Sequence, residues 1–153
     1  SSFLNDLLTR LKAFYKMSEE EFLILKQNSL CFSLDMAHGL NPMHSSKYDS
    51  DHAPLLGRGI ALKSNADLKY ASSGYTLAKA VEICKKAGLS IQHFSMRSDM
   101  ACGSTVGPFI TSSTGIPTVD IGCPQLSMHS SREVIATHDY ISLYKFLVQA
   151  LQR

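Results

Sequence analysis

The chain has no large excess of either charge. Fifteen Lys and Arg stand against thirteen Asp and Glu, a net charge of +2, too small to suggest a nucleic acid or an anionic membrane surface as partner. No apolar run approaches the roughly 20 residues needed to cross a bilayer. The first residues, Ser1-Ser2-Phe3-Leu4-Asn5-Asp6, lack the basic region and small-residue cleavage site of a signal peptide, and there is no initiator Met. The four cysteines, Cys31, Cys84, Cys102 and Cys123, form no Cys-x-x-Cys pair, which argues against a zinc knuckle or a disulfide framework. Reduced thiols in a cytoplasmic protein are the simplest reading. The six histidines, His38, His44, His52, His93, His129 and His138, make no local His-x-x-x-His pair on a helix, so any metal site must be assembled from distant loops. There is no internal repeat and no low-complexity segment.

What is present fits one domain of α/β type. A chain of 153 residues is long enough to bury a core. Leu4, Leu7, Leu8, Leu11, Phe14 and Tyr15 recur at helical spacing, predicting an amphipathic helix from about residue 2 to 16. An opening helix with no strand before it suggests that the front of a larger protein is missing. Ser18 with Glu21 is a capping box for a second, short helix. Ser29–Asp35 reads as a strand, and Gly39–Arg58 as an aperiodic loop too long for an idle connector. Gly59–Leu62 ends as a strand on Lys63, Thr76–Ala87 is a helix with Gly88 at its C-terminal cap, and Ile91–Met96 is the next strand, giving a β-α-β unit. A small-residue loop, 97–108, leads to a short helix near Phe109–Ser113 and a strand over Ile116–Gly122. A second polar cluster, Pro124–Glu133, follows, and a last helix covers about 138–152.

Two polar clusters close strands, where α/β enzymes present their chemistry. Asp35 and His38 end the first, although Asp35 alone reads equally as a turn cap. His129, with Ser130, Arg132 and Glu133, follows the last. Carboxylate and imidazole together are the donor set of a catalytic zinc, which leaves positions open for water and substrate. His93, alternating with apolar residues inside a strand, reads as a partly buried structural imidazole, and His138 as the start of the last helix. Cys102, beside Gly103-Ser104-Thr105, has no identifiable base and reads as a buried thiol rather than a nucleophile.

Four segments, in order, are similar to a known family: Asp35-Met-Ala-His38; Lys63-Ser-Asn with Tyr70-Ala71; Met96-Arg-Ser-Asp99-Met-Ala-Cys-Gly103-Ser-Thr-Val-Gly-Pro108; and Val119-Asp-Ile-Gly-Cys-Pro124-Gln-Leu-Ser-Met-His129-Ser-Ser-Arg-Glu133. They resemble the M18 metallopeptidases, the aspartyl aminopeptidase family, over residues 1–153. The resemblance implies a three-layer α/β/α catalytic domain with a mixed, mostly parallel sheet of the zinc exopeptidase kind. It implies two Zn2+ ions per intact active site, peptide substrates with acidic N-terminal residues, and homo-oligomers built through an inserted domain. By the same resemblance Asp35 ligates one zinc and His129 the other, while His38, Lys63, Tyr70 and Gly103 border the substrate. A cationic Lys63 suits an acidic side chain; the alternative is a solvated surface lysine. After His38 the chain departs from the family pattern, since Gly39-Leu40-Asn41-Pro42-Met43 stands where a second His precedes the Pro and Asn-Tyr follows it.

The resemblance also implies what is not here. The family's other zinc-site His, its bridging Asp, the Glu that acts as general base and the Glu that ligates zinc all precede the first helix. Glu19, Glu20 and Glu21 read as charges at a helix start instead. The chain is therefore expected to be the carboxyl-terminal half of a catalytic domain, incomplete at its N-terminal side, without the inserted domain and inactive alone. The opposing reading is a non-catalytic interaction or assembly module that retains a peptidase scaffold.

Overall fold

The computed structural model describes residues 2–152. Helix α1 spans Phe3–Phe14, and none of its residues is buried; the apolar stripe read from the sequence forms, but Leu7, Leu11, Phe14 and Tyr15 remain exposed. Helix α2, Glu19–Gln27, begins at the expected capping box. Ser18 Oγ accepts from the Glu21 N–H at 3.2 Å, and Glu21 Oε2 accepts from the Ser18 N–H at 2.8 Å. This reciprocal pair satisfies two N–H groups that the helix itself leaves unpaired.

The strands are β1 Cys31–Leu34, β2 Ala37–His38, β3 Ile60–Lys63, β4 Ile91–Phe94, β5 Thr118–Gly122, β6 Pro124–Leu126 and β7 Val134–Ile135; the remaining helices are α3 Gly74–Lys86, α4 Gly107–Thr114 and α5 Thr137–Leu151. The main sheet has the order β1-β5-β3-β4. It is mixed and mostly parallel, because β1 with β5 and β3 with β4 run parallel while β3 and β5 run antiparallel. The β3-α3-β4 crossover is the β-α-β unit expected from the sequence. Its helix ends as predicted, with Gly88 at φ 63° beyond the Ala87 cap and the Leu89 N–H donating to the Cys84 carbonyl at 2.9 Å, a closure that needs a left-handed residue.

Alternation along β3 and β5 divides the interior in two. Ile60, Leu62, Val119 and Ile121 point to one face and pack with Ala80, Ile83 and Cys84 of α3 and Phe146 of α5. Phe32 meets Phe146 edge to face, with ring centroids 5.2 Å apart. Ala61 and Phe94 point to the opposite face, where they pack with Ala37 and Tyr70. Polar side chains share that second face, and the candidate site lies there.

The structure adds elements that the sequence did not single out and corrects two expectations. The Pro124–Glu133 polar cluster begins with β6, which pairs with β2 and β7 in a second sheet, order β2-β6-β7. The 39–58 segment contains a 3-10 helix, Pro42–Lys47. Strands of two or three residues and a single tight helix are too short to show a period in sequence. His93 is exposed, not partly buried as expected; it lies on β4, an edge strand of the main sheet. Among the described residues no helix is long and apolar enough to cross a membrane.

Candidate active site

Gly122 sets the site's geometry. A Cβ on it would lie 1.9 Å from the Asp35 carbonyl oxygen and 3.0 Å from Met36 Cα, so only glycine lets the chain leaving β1 cross over the end of β5. That crossing brings Asp35 to the second face of the sheet, the face into which Lys63 projects from the end of β3.

Lys63 is 1% exposed, whereas the Asp35 side chain is 50% exposed. The Lys63 Nζ donates to Asp35 Oδ2 at 3.0 Å and to the Met36 carbonyl at 3.1 Å, and it lies 5.1 Å from the centroid of the Tyr70 ring. Lys63 is thus a buried, partnered ammonium and not a solvated surface lysine. Burial pushes its pKa below the ordinary 10.5, and the Asp35 carboxylate opposes that shift. Tyr70 is 4% exposed; burial first, and then its hydroxyl's contact with Cys102 Sγ at 3.0 Å, raise its pKa well above the ordinary 10.0. Half-buried His38 is pushed down, first by burial and then by Lys63 and His129, with Asp35 opposing. An imidazole so placed is neutral near pH 7 and serves as a hydrogen-bonding group rather than a charge.

His129 lies in the turn between β6 and β7 with φ 65°, as Ser127 does with φ 56°. The left-handed region is uncommon for residues with a Cβ. The His129 N–H donates to Glu133 Oε1 at 2.6 Å, which closes the turn and leaves the imidazole exposed. Asp35, His38, Lys63, Tyr70, Gly103 and His129 all line one open cavity of about 450 Å3, together with Ser104–Val106, Phe109 and Met128. Residues drawn from four separated segments therefore meet at one place.

His44 lines a separate small cavity behind His38. His52 pairs with Asp49 at 2.7 Å and Asp99 with Arg97 at 2.6 Å, so those two side chains are engaged outside the cavity. Cys102 is partly buried and bonded to Tyr70, which fits its reading as a packed thiol.

Asp120 is the residue that sequence reasoning missed. It is 0% exposed, its Oδ1 accepts from Thr105 Oγ1 at 2.6 Å, and its Oδ2 accepts from the Ala71 N–H at 2.6 Å. The available signal was a carboxylate inside an otherwise apolar strand, since a buried charge persists only with partners. Asp139 at the start of α5 is a second such case: it is fully buried, and its oxygens accept from the Gly57 and Gly59 N–H groups at 2.7 and 2.8 Å.

The cavity's donors suit zinc in type, Asp35 offering oxygen and His129 nitrogen. In number they fall short, because among the described residues no three His, Cys, Asp or Glu side chains are grouped closely enough to hold a metal ion. Asp35 and His129 by themselves therefore do not make up a metal site.

Known proteins resemble the chain in sequence and in fold. Aspartyl aminopeptidase of Dictyostelium discoideum is 48% identical over 113 residues, 74% of this chain and 23% of its own length. In a cryo-EM structure of the Ape4 and Nbr1 complex, one chain superposes with a TM-score of 0.92 at 34% identity, covering 99% of this chain and 29% of that one. A structure of the S. cerevesiae mApe1 dodecamer superposes at 0.84 and 26% identity, covering 99% of this chain and 33% of that one. The chain thus spans a third or less of the proteins it matches here. The family model for the aminopeptidase I zinc metalloproteases (M18) matches residues 1–150, and the chain belongs to that family.

Proposed function

We propose that this chain supplies one side of the active site of a zinc aminopeptidase that removes acidic N-terminal residues from peptides. The observation that carries the reading is the meeting of Asp35, His38, Lys63, Tyr70, Gly103 and His129 around one cavity. Asp35 and His129 would each supply one ligand to a zinc ion, which would provide Lewis-acid polarisation of the scissile carbonyl and an anchor for the free α-amine. The chain's own part is binding and orientation. Lys63 is a buried ammonium with three donors, two of them used by Asp35 and Met36, and it favours a carboxylate side chain in a partly desolvated pocket. His38, held neutral, and Tyr70, held protonated, present hydrogen-bonding groups that keep that side chain in place. Exposed Gly103 brings bare backbone to the cavity wall.

The residue that takes the proton from water is a Glu outside this chain, so the chain alone is inactive. The working enzyme is a cytoplasmic homo-oligomer, its assembly supported by the dodecameric relative. The test is zinc content and turnover of the complete enzyme carrying Asp35→Ala or His129→Ala. Each is expected to lower bound zinc and to cut kcat by more than ~100-fold, beyond what loss of a supporting group costs. Full zinc content with undiminished turnover in either variant would refute the ligand assignment.

A further inference from the structure

We infer that Asp120 is a positioning residue, a buried bracket that holds the Tyr70 loop and the Gly103–Thr105 loop together as the floor of the substrate cavity. The inference rests on the aminopeptidase reading for its consequence but not for its geometry.

The carboxylate is fully buried on the second face of β5, and each oxygen is committed to a different loop. Oδ2 accepts from the Ala71 N–H, next to Tyr70, and Oδ1 accepts from Thr105 Oγ1, two residues after Gly103, both at 2.6 Å. The Asp120 N–H donates to Ser72 Oγ at 2.9 Å, so the first loop is tied to this residue twice. The two loops are tied to each other by the Thr105 N–H to the Lys69 carbonyl at 3.3 Å and by Tyr70 to Cys102 at 3.0 Å. The start of α4, which follows the second loop, approaches closely enough to require glycine, since a Cβ on Gly107 would lie 2.5 Å from Asp120 Oδ2 and 2.8 Å from Oδ1. Such short bonds to a buried carboxyl group, out of competition with water, are the strong kind.

Neither loop has regular secondary structure across the tied residues, so nothing in their local backbone pattern fixes the cavity wall. Without the bracket the loops sample other conformations, and the binding-competent fraction of the enzyme falls. Apparent affinity then falls in proportion to that fraction, while the chemistry of the bound complex is unchanged. A residue needed only for folding behaves differently, because it lowers the number of working molecules and so reduces apparent kcat at constant KM.

Asp120→Asn tests the bracket directly but carries the risk of misfolding, so the decisive variant is Thr105→Val, which keeps the shape and removes the hydroxyl donor. Two readouts are taken. Amide hydrogen exchange on the 153-residue chain is expected to quicken at 69–72 and 103–107 while the β3 and β5 amides keep their protection. In the complete aminopeptidase, KM is expected to rise about tenfold or more with kcat within about twofold, the scale of one lost buried hydrogen bond. Thr105→Ser, which restores the hydroxyl, is expected to return both readouts to the parent values. Exchange that quickens evenly over the sheet, exchange unchanged in both loops, a fall in apparent kcat at constant KM, or failure of Thr105→Ser to rescue would each overturn the inference. If the parent enzyme turned over no aminoacyl substrate, the aminopeptidase reading would fail while the exchange data still decided the role of Asp120.

Discussion

The Lys63 ammonium is 3.0 Å from Asp35 Oδ2, yet the two partners differ sharply in their access to water: Lys63 is 1% exposed and the Asp35 side chain 50%. The pair is therefore asymmetric. Removing the lysine leaves a carboxylate that water can solvate, whereas removing the carboxylate leaves a buried ammonium with the Met36 carbonyl and the Tyr70 ring for company. Asp35→Ala is expected to destabilise the chain more than Lys63→Met does, by roughly 1–3 kcal/mol, less than for a fully buried pair because Asp35 is half in water. Urea unfolding midpoints of the two variants check this, and the reverse order would contradict it.

Cys84 and Cys123 are each 1% exposed, and burial pushes both thiols from the ordinary 9.0 up to about 11. Below pH 9 the thiol is protonated in both states and contributes no pH dependence. Between pH 9 and 11 the unfolded chain loses the proton while the folded chain keeps it, so stability falls as pH rises, by on the order of 2–3 kcal/mol per thiol. Lys63 acts in the opposite sense in this range, because its folded pKa lies below 10.5 and the unfolded chain holds its proton longer. Comparison of the parent with Cys84→Ala isolates the thiol: the variant is expected to lose less stability between pH 9 and 11, and equal losses would contradict the assignment.

Gly122→Ala places a methyl group 1.9 Å from the Asp35 carbonyl oxygen. The clash is with main chain and no rotamer relieves it, so the loss of stability is expected at about 3 kcal/mol or more, the upper end for overpacking. Thermal and denaturant unfolding of the variant measure it; a near-neutral substitution would mean that the Asp35 crossing lies elsewhere.

Much of this architecture is legible in the sequence, and the parts that are not share a cause. The Ser18–Glu21 capping box, the α3 stripe of Ala80 and Cys84, and Gly88 beyond it are local signals, and each structural element follows them closely. Asp35 and His129 stand out because each closes an apolar strand with a polar group. The roles of Gly122, Asp120 and Asp139 are invisible at that range. Each is defined by a contact with residues distant in sequence: Gly122 by the Asp35 backbone, Asp120 by Ala71 and Thr105, and Asp139 by Gly57 and Gly59. The exposed stripe of α1 is the converse case, since periodicity reports which face is apolar and says nothing of what covers it. The same limit applies to Lys63, whose burial goes with partners far back in the chain, Asp35 and Met36.

The account's central claim is that the cavity is one side of a shared zinc site, holding the substrate-orienting groups and one ligand for each metal while the general base lies elsewhere. The most direct measurement is aminopeptidase assay with zinc titration on the purified 153-residue chain, run beside the complete enzyme with acidic and neutral aminoacyl substrates. A catalytic zinc needs about three protein ligands, and a placed base typically contributes ~10²–10⁴-fold in rate. The chain alone is accordingly predicted to bind zinc weakly and to show no turnover, while the complete enzyme cleaves acidic substrates in a zinc-dependent way. Tight stoichiometric zinc and metal-dependent cleavage by the chain alone would contradict the claim, and would mean that side chains such as His44, His52 or Asp99 complete the site.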